Sequence, residues 1–411
     1  MINIEVFPAS YGESILVSLG KDKKINILID SGFVSTYNNH IKGKMIELAK
    51  YNQVINLFVL THFDADHIRG AINFFKENST YSESKIIKIE EIWMNMLRHI
   101  DFGDKKLKLS ETDKLKLKTI LMKKYPIEMY NRCINDISST ECLTLSKLIS
   151  DGGYKVNSSF NDDLIVSDRG QNVVGFDMGI KITILSPTVD KIKELNEFWF
   201  KELLKIGLKP DFYNNEEYSE AFEKLLVNII PAINRGMLKN CANEKDVIEK
   251  LIKEDIFLED TDVVNGSSIA FILEYEEKRI LFLGDSHPSV IEEQLKKIGF
   301  DKENKIKIDL MKVSHHGSKG NITNELLEII DCDKFLICTN GYQYSHPDQE
   351  SIARIIASNK EKRKLIFMNY ESLSIKKFLN KELMDKYNYL ITCTNEINLD
   401  NRKCKSTYIK I

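Results

Sequence analysis

The stretch Val59–Gly70, VLTHFDADHIRG, sets His62, Asp64, Asp66 and His67 within six positions, directly after an apolar run. That run, VINLFVLTH (54–62), carries β-branched residues and reads as a buried strand ending at His62. Burying one unpaired carboxylate is costly, and two side by side repel each other. The crowding therefore calls for positive charge between the acids.

Outward from this loop, IRGAINFFKEN has helical spacing, with Ile68, Ile72 and Phe75 on one face, and KIEEIWMN reads as a further strand. Upstream, INIEVFPA, SILVSL and, across the charged turn GKDKK, INILIDSG read as strands in a hairpin-like arrangement. Downstream, GIKITILSP (179–187) is a strand, SSIAFILEY–EEK–RILFLGD is a β-hairpin, and KIDLMKVSHHGS and KFLICTNGYQYSHPD open two strand–helix units. Strand-like YNYLIT and STYIKI close the chain. This rhythm predicts an α/β fold with helices outside sheets. We divide the chain into core segments 1–101, 179–188 and 261–371, a partly helical insertion 102–178, a helical insertion 189–260, and an extension 372–411.

The 411 residues are 43% hydrophobic, ample for a sizeable core, and their net charge of −3 gives no global case for a polyanion partner. Locally, residues 105–124 hold eight lysines against Glu111 and Asp113, a charge of +6. They read as a solvated helix face backed by Leu107, Leu115, Leu117, Ile120 and Leu121, or as a track for a nucleic-acid backbone. Seven scattered cysteines form no CxxC pair, which fits a reducing cytoplasm. No signal peptide and no membrane segment are expected.

Five stretches carry the chemistry: DSG (30–32), THFDADH (61–67), LGDSHP (283–288), VSHHGS (313–318) and YSHPD (344–348). Six of the eight histidines fall in them: His62, His67, His287, His315, His316 and His346. Loops at one sheet edge converge in space, and several imidazoles and carboxylates can share a small volume if two divalent ions neutralise them.

These motifs resemble those of metallo-β-lactamase-fold hydrolases, whose signature is HxHxDH. Here the loop stands as His62-Phe-Asp64-Ala-Asp66-His67, with aspartate in place of the middle histidine. With NGSSIAFILEYEEKRILFLGD and DLMKVSHHGSKGN, this HxDxDH variant is similar to the hydrolase domain of ComEC-type DNA-uptake proteins. The resemblance implies an αββα sandwich and a binuclear site. His62 and Asp64 would hold one ion, Asp66 and His67 the other, and Asp285 would bridge them. Among His315, His316 and His346, one imidazole would complete the second site. Asp66, His315 and His316 are the implied catalytic groups, one of the paired histidines serving as proton donor.

Asp64 hardens its site and makes Mn²⁺ a candidate beside Zn²⁺. His99 is a further candidate ligand, or a structural residue. Asp30 reads as support for the metal loop or as a turn-maker, His287 as structural or supporting, and Ser318 and Lys319 as candidate phosphate contacts. The expected activity is metal-dependent hydrolysis, of phosphodiesters such as nucleic acid. The alternatives are a small phosphoester or thioester substrate, or a module that depends on partner proteins encoded nearby.

Overall fold

A computed structural model describes residues 1–21, 24–99, 110–122, 144–208, 216–228, 247–396 and 399–411. The fold is mixed α/β. The first large sheet contains β1 (Ile2–Val6), β2 (Ile15–Leu19), β3 (Ile25–Ile29), β4 (Ile55–Val59) and β5 (Ile89–Trp93). The second contains β6 (Val173–Phe176), β7 (Ile180–Ser186), β8 (Ala270–Tyr275) and β9 (Lys278–Phe282). A short pair, β10 (Ile306–Ile308) and β12 (Ile330–Cys332), alternates in sequence with β11 (Leu310–Lys312) and β13 (Lys334–Ile337). The strands β14 (Lys364–Tyr370), β15 (Tyr389–Asn395) and β16 (Thr407–Lys410) complete the set. The sheet orders are β16-β1-β2-β3-β4-β5 and β15-β14-β13-β11-β9-β8-β7-β6.

Alternation along the strands divides the apolar residues between faces. Ile27 and Ile29 of β3, Leu57 and Val59 of β4, Phe271 and Leu273 of β8, and Ile280 and Phe282 of β9 share one cluster drawn from both sheets. Leu28 and Phe58 belong instead to a cluster with Ile68, Phe74 and Phe75 of the helix Ala65–Asn78. Ile272 and Leu281 join Ile291, Leu326 and Ile352 on the far side of the second sheet. Fully burying each such side chain stabilises the fold by about 1.5–3 kcal/mol. The expected helical face, Ile68, Ile72 and Phe75, is buried.

The segment set apart as an extension after residue 371 supplies an edge strand to each large sheet: β15 pairs with β14, and β16 pairs antiparallel with β1. Of the lysine-rich stretch, residues 105–109 and 123–124, with Leu107, lie outside the described residues. The rest forms the helix Glu111–Leu121, capped by the Ser110 hydroxyl. Leu117 and Ile120 are buried, but Leu115 is 67% exposed, because two residues along a helix turn it 200° away from Leu117. Residues 209–215 and 229–246 of the second insertion also lie outside the described residues. Among the described residues, no helix is long and apolar enough to cross a membrane.

What this topology does for function is to bring parallel strand ends together. β3 and β4 run parallel in the first sheet, and β9, β11 and β13 in the second. The loops after their C-terminal ends carry Asp30, the His62–His67 loop, Asp285, the His315–His316 pair and His346.

Candidate metal centre

The loop after β4 passes directly into the helix Ala65–Asn78, whose N-cap is Asp64. Asp64 makes no side-chain capping bond, so its carboxylate stays available. Asp66 and His67 occupy the first turn. Gly70 lets this helix sit tightly on the loop after β3: a Cβ there would lie 2.2 Å from the Ser31 carbonyl oxygen. The Ser31 hydroxyl bonds the His67 carbonyl at 2.8 Å and accepts the Ala71 N–H at 2.7 Å.

Asp30, fully buried with φ +52°, organises the loop from below. Its Oδ1 accepts the Thr61 N–H at 2.8 Å, and its Oδ2 accepts the Thr61 hydroxyl and the His67 Nδ1–H, each at 2.7 Å. The Thr61 proton is thereby committed to Asp30. His62 Nδ1 faces Thr61 Oγ1 at 3.0 Å, where only acceptance is left to the threonine, and Ser268 Oγ at 3.1 Å. His316 Nδ1 donates to the Cys338 carbonyl at 2.7 Å. His315 Nδ1 faces Asn321 Oδ1 at 3.1 Å and Asp260 Oδ2 at 3.3 Å. In all four rings Nδ1 is engaged by these partners, so Nε2 faces the cluster, offering a lone pair when the ring is neutral and a proton when it is charged.

Those four Nε2 atoms converge on one oxygen. Asp285 Oδ2 lies 3.6 Å from His67, 3.8 Å from His315, 3.8 Å from His316 and 4.0 Å from His62. Asp66 Oδ2 lies 3.3 Å from His316 Nε2, and Asp64 Oδ2 lies 3.6 Å from His62 Nε2. Two overlapping donor sets result, His62–His67–Asp285 and Asp66–His67–His316, each with ligand atoms within 4.8 Å of one another. His315 and His316 reach this position through consecutive left-handed residues, φ +43° and +54°. Such backbone costs about 1–3 kcal/mol per residue and is concentrated at functional sites.

The residues fit divalent cations. The buried atoms His62 Nε2, His67 Nε2, His316 Nε2 and Asp285 Oδ1 have no hydrogen-bond partner, and an unsatisfied buried polar atom costs about 1–3 kcal/mol. Imidazole and carboxylate donors suit Zn²⁺ or Mn²⁺. The electrostatics agree. Burial opposes the charged form of His67, but the carboxylates of Asp285, Asp30 and Asp66 outweigh it and hold the ring well above the usual imidazole range. Burial likewise opposes ionised Asp285, yet His67, His315 and His316 hold it well below the usual carboxylate range. The cluster is stable only with positive charge inside it, carried by protons or by metal.

The remaining candidates lie further out. The His346 ring is 5.3 Å from that of His315, and its Nδ1 lies 3.5 Å from Asp348. His287 packs on Gly266, and its Nε2 meets the Asp262 carbonyl at 3.0 Å. His99 Nδ1 accepts the Met96 N–H at 3.2 Å and faces the Asn157 amide at 3.3 Å. Lys319 bonds Asp348 through its backbone N–H, and the Ser318 hydroxyl accepts the Gly320 N–H at 3.3 Å.

Several groups at the site went unread in the sequence: Ser268, Asp260, Asn321, and above all Glu13 and Lys312, an ion pair buried to 1% and 0% exposure. The only signal was a charged residue just ahead of an apolar run in GESILV and within one in LMKV.

No protein-family model and no curated protein sequence matches the chain. Among solved structures it is similar to the Zn²⁺-bound PqqB from Methylobacterium extorquens, with 8% identity, all of both chains covered and a TM-score of 0.38. It is also similar to a mutant of the CmlA beta-hydroxylase, with 9% identity over 99% of this chain and a TM-score of 0.36. A long form of RNase Z from yeast matches 90% of this chain, with 9% identity and a TM-score of 0.29. The chain spans about half the length of the hydroxylase (54%) and about a third of RNase Z (36%). Likenesses of this size assign neither family nor activity.

Proposed function

We propose that this chain is a metal-dependent hydrolase of the metallo-β-lactamase type, an αββα sandwich whose binuclear site cleaves phosphodiesters, nucleic acid being the leading substrate. The observation that carries this reading is the ring of four imidazole Nε2 atoms around Asp285 Oδ2, three of them buried without a hydrogen-bond partner. Two divalent ions, Zn²⁺ or Mn²⁺, would activate water and offset negative charge building on the substrate. His62, Asp64 and Asp285 would hold one, and Asp66, His67, His316 and Asp285 the other; His346, beside the His315 ring, is the alternative to His316.

The chain's own groups supply the rest. Asp30 fixes the His67 tautomer. His315, held at Nδ1 by Asp260 and Asn321, can give a proton to a leaving oxygen. Ser318 and Lys319, on the loop that follows, would meet phosphate oxygens.

A second reading, a small phosphoester or thioester substrate, draws support from the lysine helix. Lys114 pairs with Glu111 at 3.1 Å, and Lys116 pairs with Asp113 at 3.7 Å while bonding the Gly207 carbonyl at 2.7 Å. These two lysine charges are compensated locally. Proteins encoded nearby are candidate partners under either reading. The test is cleavage of end-labelled single- and double-stranded DNA and RNA with Mn²⁺ or Zn²⁺, beside His67→Ala. Metal-dependent cleavage that the variant loses supports a nuclease. Metal bound without cleavage favours the small substrate.

A further inference from the structure

The centre is assembled from two halves that belong to different sheets. His62, Asp64, Asp66 and His67 follow β4 in one, and Asp285, His315 and His316 follow β9 and β11 in the other. Covalently the halves are more than two hundred residues apart. Something must set their separation.

Glu13 and Lys312 meet at this seam. Lys312 ends β11 opposite Phe282 in the register, so it points into the layer shared by both sheets. Glu13 precedes β2 of the first sheet. Their ion pair is buried between the two halves. Each partner is then tied to the centre on its own side. The Glu13 N–H bonds the Asp66 carbonyl at 3.1 Å, and Gly12 is so close that a Cβ would lie 2.2 Å from the same oxygen. Ser14 Oγ bonds the Asp30 carbonyl at 3.1 Å. Lys312 Nζ donates to the Gly284 carbonyl at 3.0 Å and lies 3.8 Å from Asp285 Oδ1.

A buried ion pair contributes little net stability, since desolvation consumes the attraction. An apolar pair of similar volume would serve the core as well. What an apolar pair would not do is hold a positive charge against one oxygen of Asp285.

We infer that Glu13 and Lys312 are a positioning pair for the metal centre. The lysine charge faces Asp285 Oδ1 and turns Oδ2 towards the four imidazoles, while the Glu13 carboxylate fixes the lysine and the Glu13 backbone N–H ties this contact to the Asp66 carbonyl. This rests on the proposed divalent-ion site and extends it to residues that touch neither ion nor substrate.

The test uses Mn²⁺ itself, titrated into chelator-treated full-length protein and followed by the electron-spin-resonance signal of free Mn²⁺, with thermal melting in parallel. Lys312→Met alone strands a buried carboxylate and is expected to unfold the chain. The informative variant is Glu13→Leu with Lys312→Met, which removes both charges. It is expected to melt cooperatively near the wild-type temperature and to bind Mn²⁺ about 10- to 100-fold more weakly, the scale of lost support around a ligand. Wild-type affinity in the double variant would overturn the positioning role. Loss of cooperative melting in it would also overturn that role and make the pair a fold element. Failure of the wild-type chain itself to bind Mn²⁺ would instead remove the site on which the inference rests.

Discussion

Asp30→Asn isolates one proton. The carboxylate accepts three donors: the Thr61 N–H at 2.8 Å, and the Thr61 hydroxyl and His67 Nδ1–H at 2.7 Å each. Asparagine has the same shape but only one acceptor oxygen. If that oxygen keeps the Thr61 amide, the new NH₂ points at His67 Nδ1. The imidazole must then move its proton to Nε2, and the lone pair aimed at Asp285 is gone. If the amide turns over, it faces the Thr61 N–H, leaving a buried donor unsatisfied at a cost of about 1–3 kcal/mol. Either way the metal loop loses the arrangement that prepares it for a cation. Losses of this kind lower metal affinity by about 10–100-fold, or about 1.4–2.8 kcal/mol. The assay is competition for Zn²⁺ against a chromophoric chelator, with histidine tautomers read from nitrogen chemical shifts. Wild-type affinity with His67 still protonated at Nδ1 would refute the reasoning.

Other perturbations separate the roles of neighbouring groups. His316→Ala should lose the ion shared with Asp66 and His67, whereas His346→Ala should retain it; metal analysis after dialysis distinguishes them, and the opposite pattern would exchange their roles. Gly70→Ala sets a Cβ against the Ser31 and Phe33 carbonyl oxygens, at 2.2 and 3.0 Å, and should cost about 1–3 kcal/mol in a denaturant titration. In metal-free protein, burial opposes protonated His315, but Asp285 and Asp260 outweigh it and push its pKa up to about 10. The folded chain thus holds a proton that the unfolded chain releases near pH 6.5. That contribution is complete below about pH 6.5 and is lost as pH rises towards the folded value, at about 1.4 kcal/mol per pH unit. Melting in chelator should fall across this window; a flat or rising profile would exclude the protonated pair.

The ligand loops were legible because histidine and aspartate at the ends of apolar strands have few structural uses, and because strand ends converge. The helix face Ile68–Ile72–Phe75 was legible from its period. Pairing was not: STYIKI reads as a strand, but nothing local tells that β16 lies beside β1 at the other end of the chain. Leu115 shows the limit of counting apolar residues without their angle, since its side of the helix faces water. Lys312 looks like an isolated blemish in a core run, and Glu13 like an ordinary polar residue ahead of one. Their meaning is a contact across 299 positions, visible only once both sheets are in place.

The central claim is that the Asp285 cluster is built for two ions. Metal analysis of wild type and Asp285→Asn, reconstituted with Mn²⁺ or Zn²⁺ and desalted, tests it most directly. The account predicts two ions per wild-type chain, and at most one in a variant that still melts cooperatively. No specific metal in the wild-type chain, or two ions retained without the Asp285 carboxylate, would contradict it.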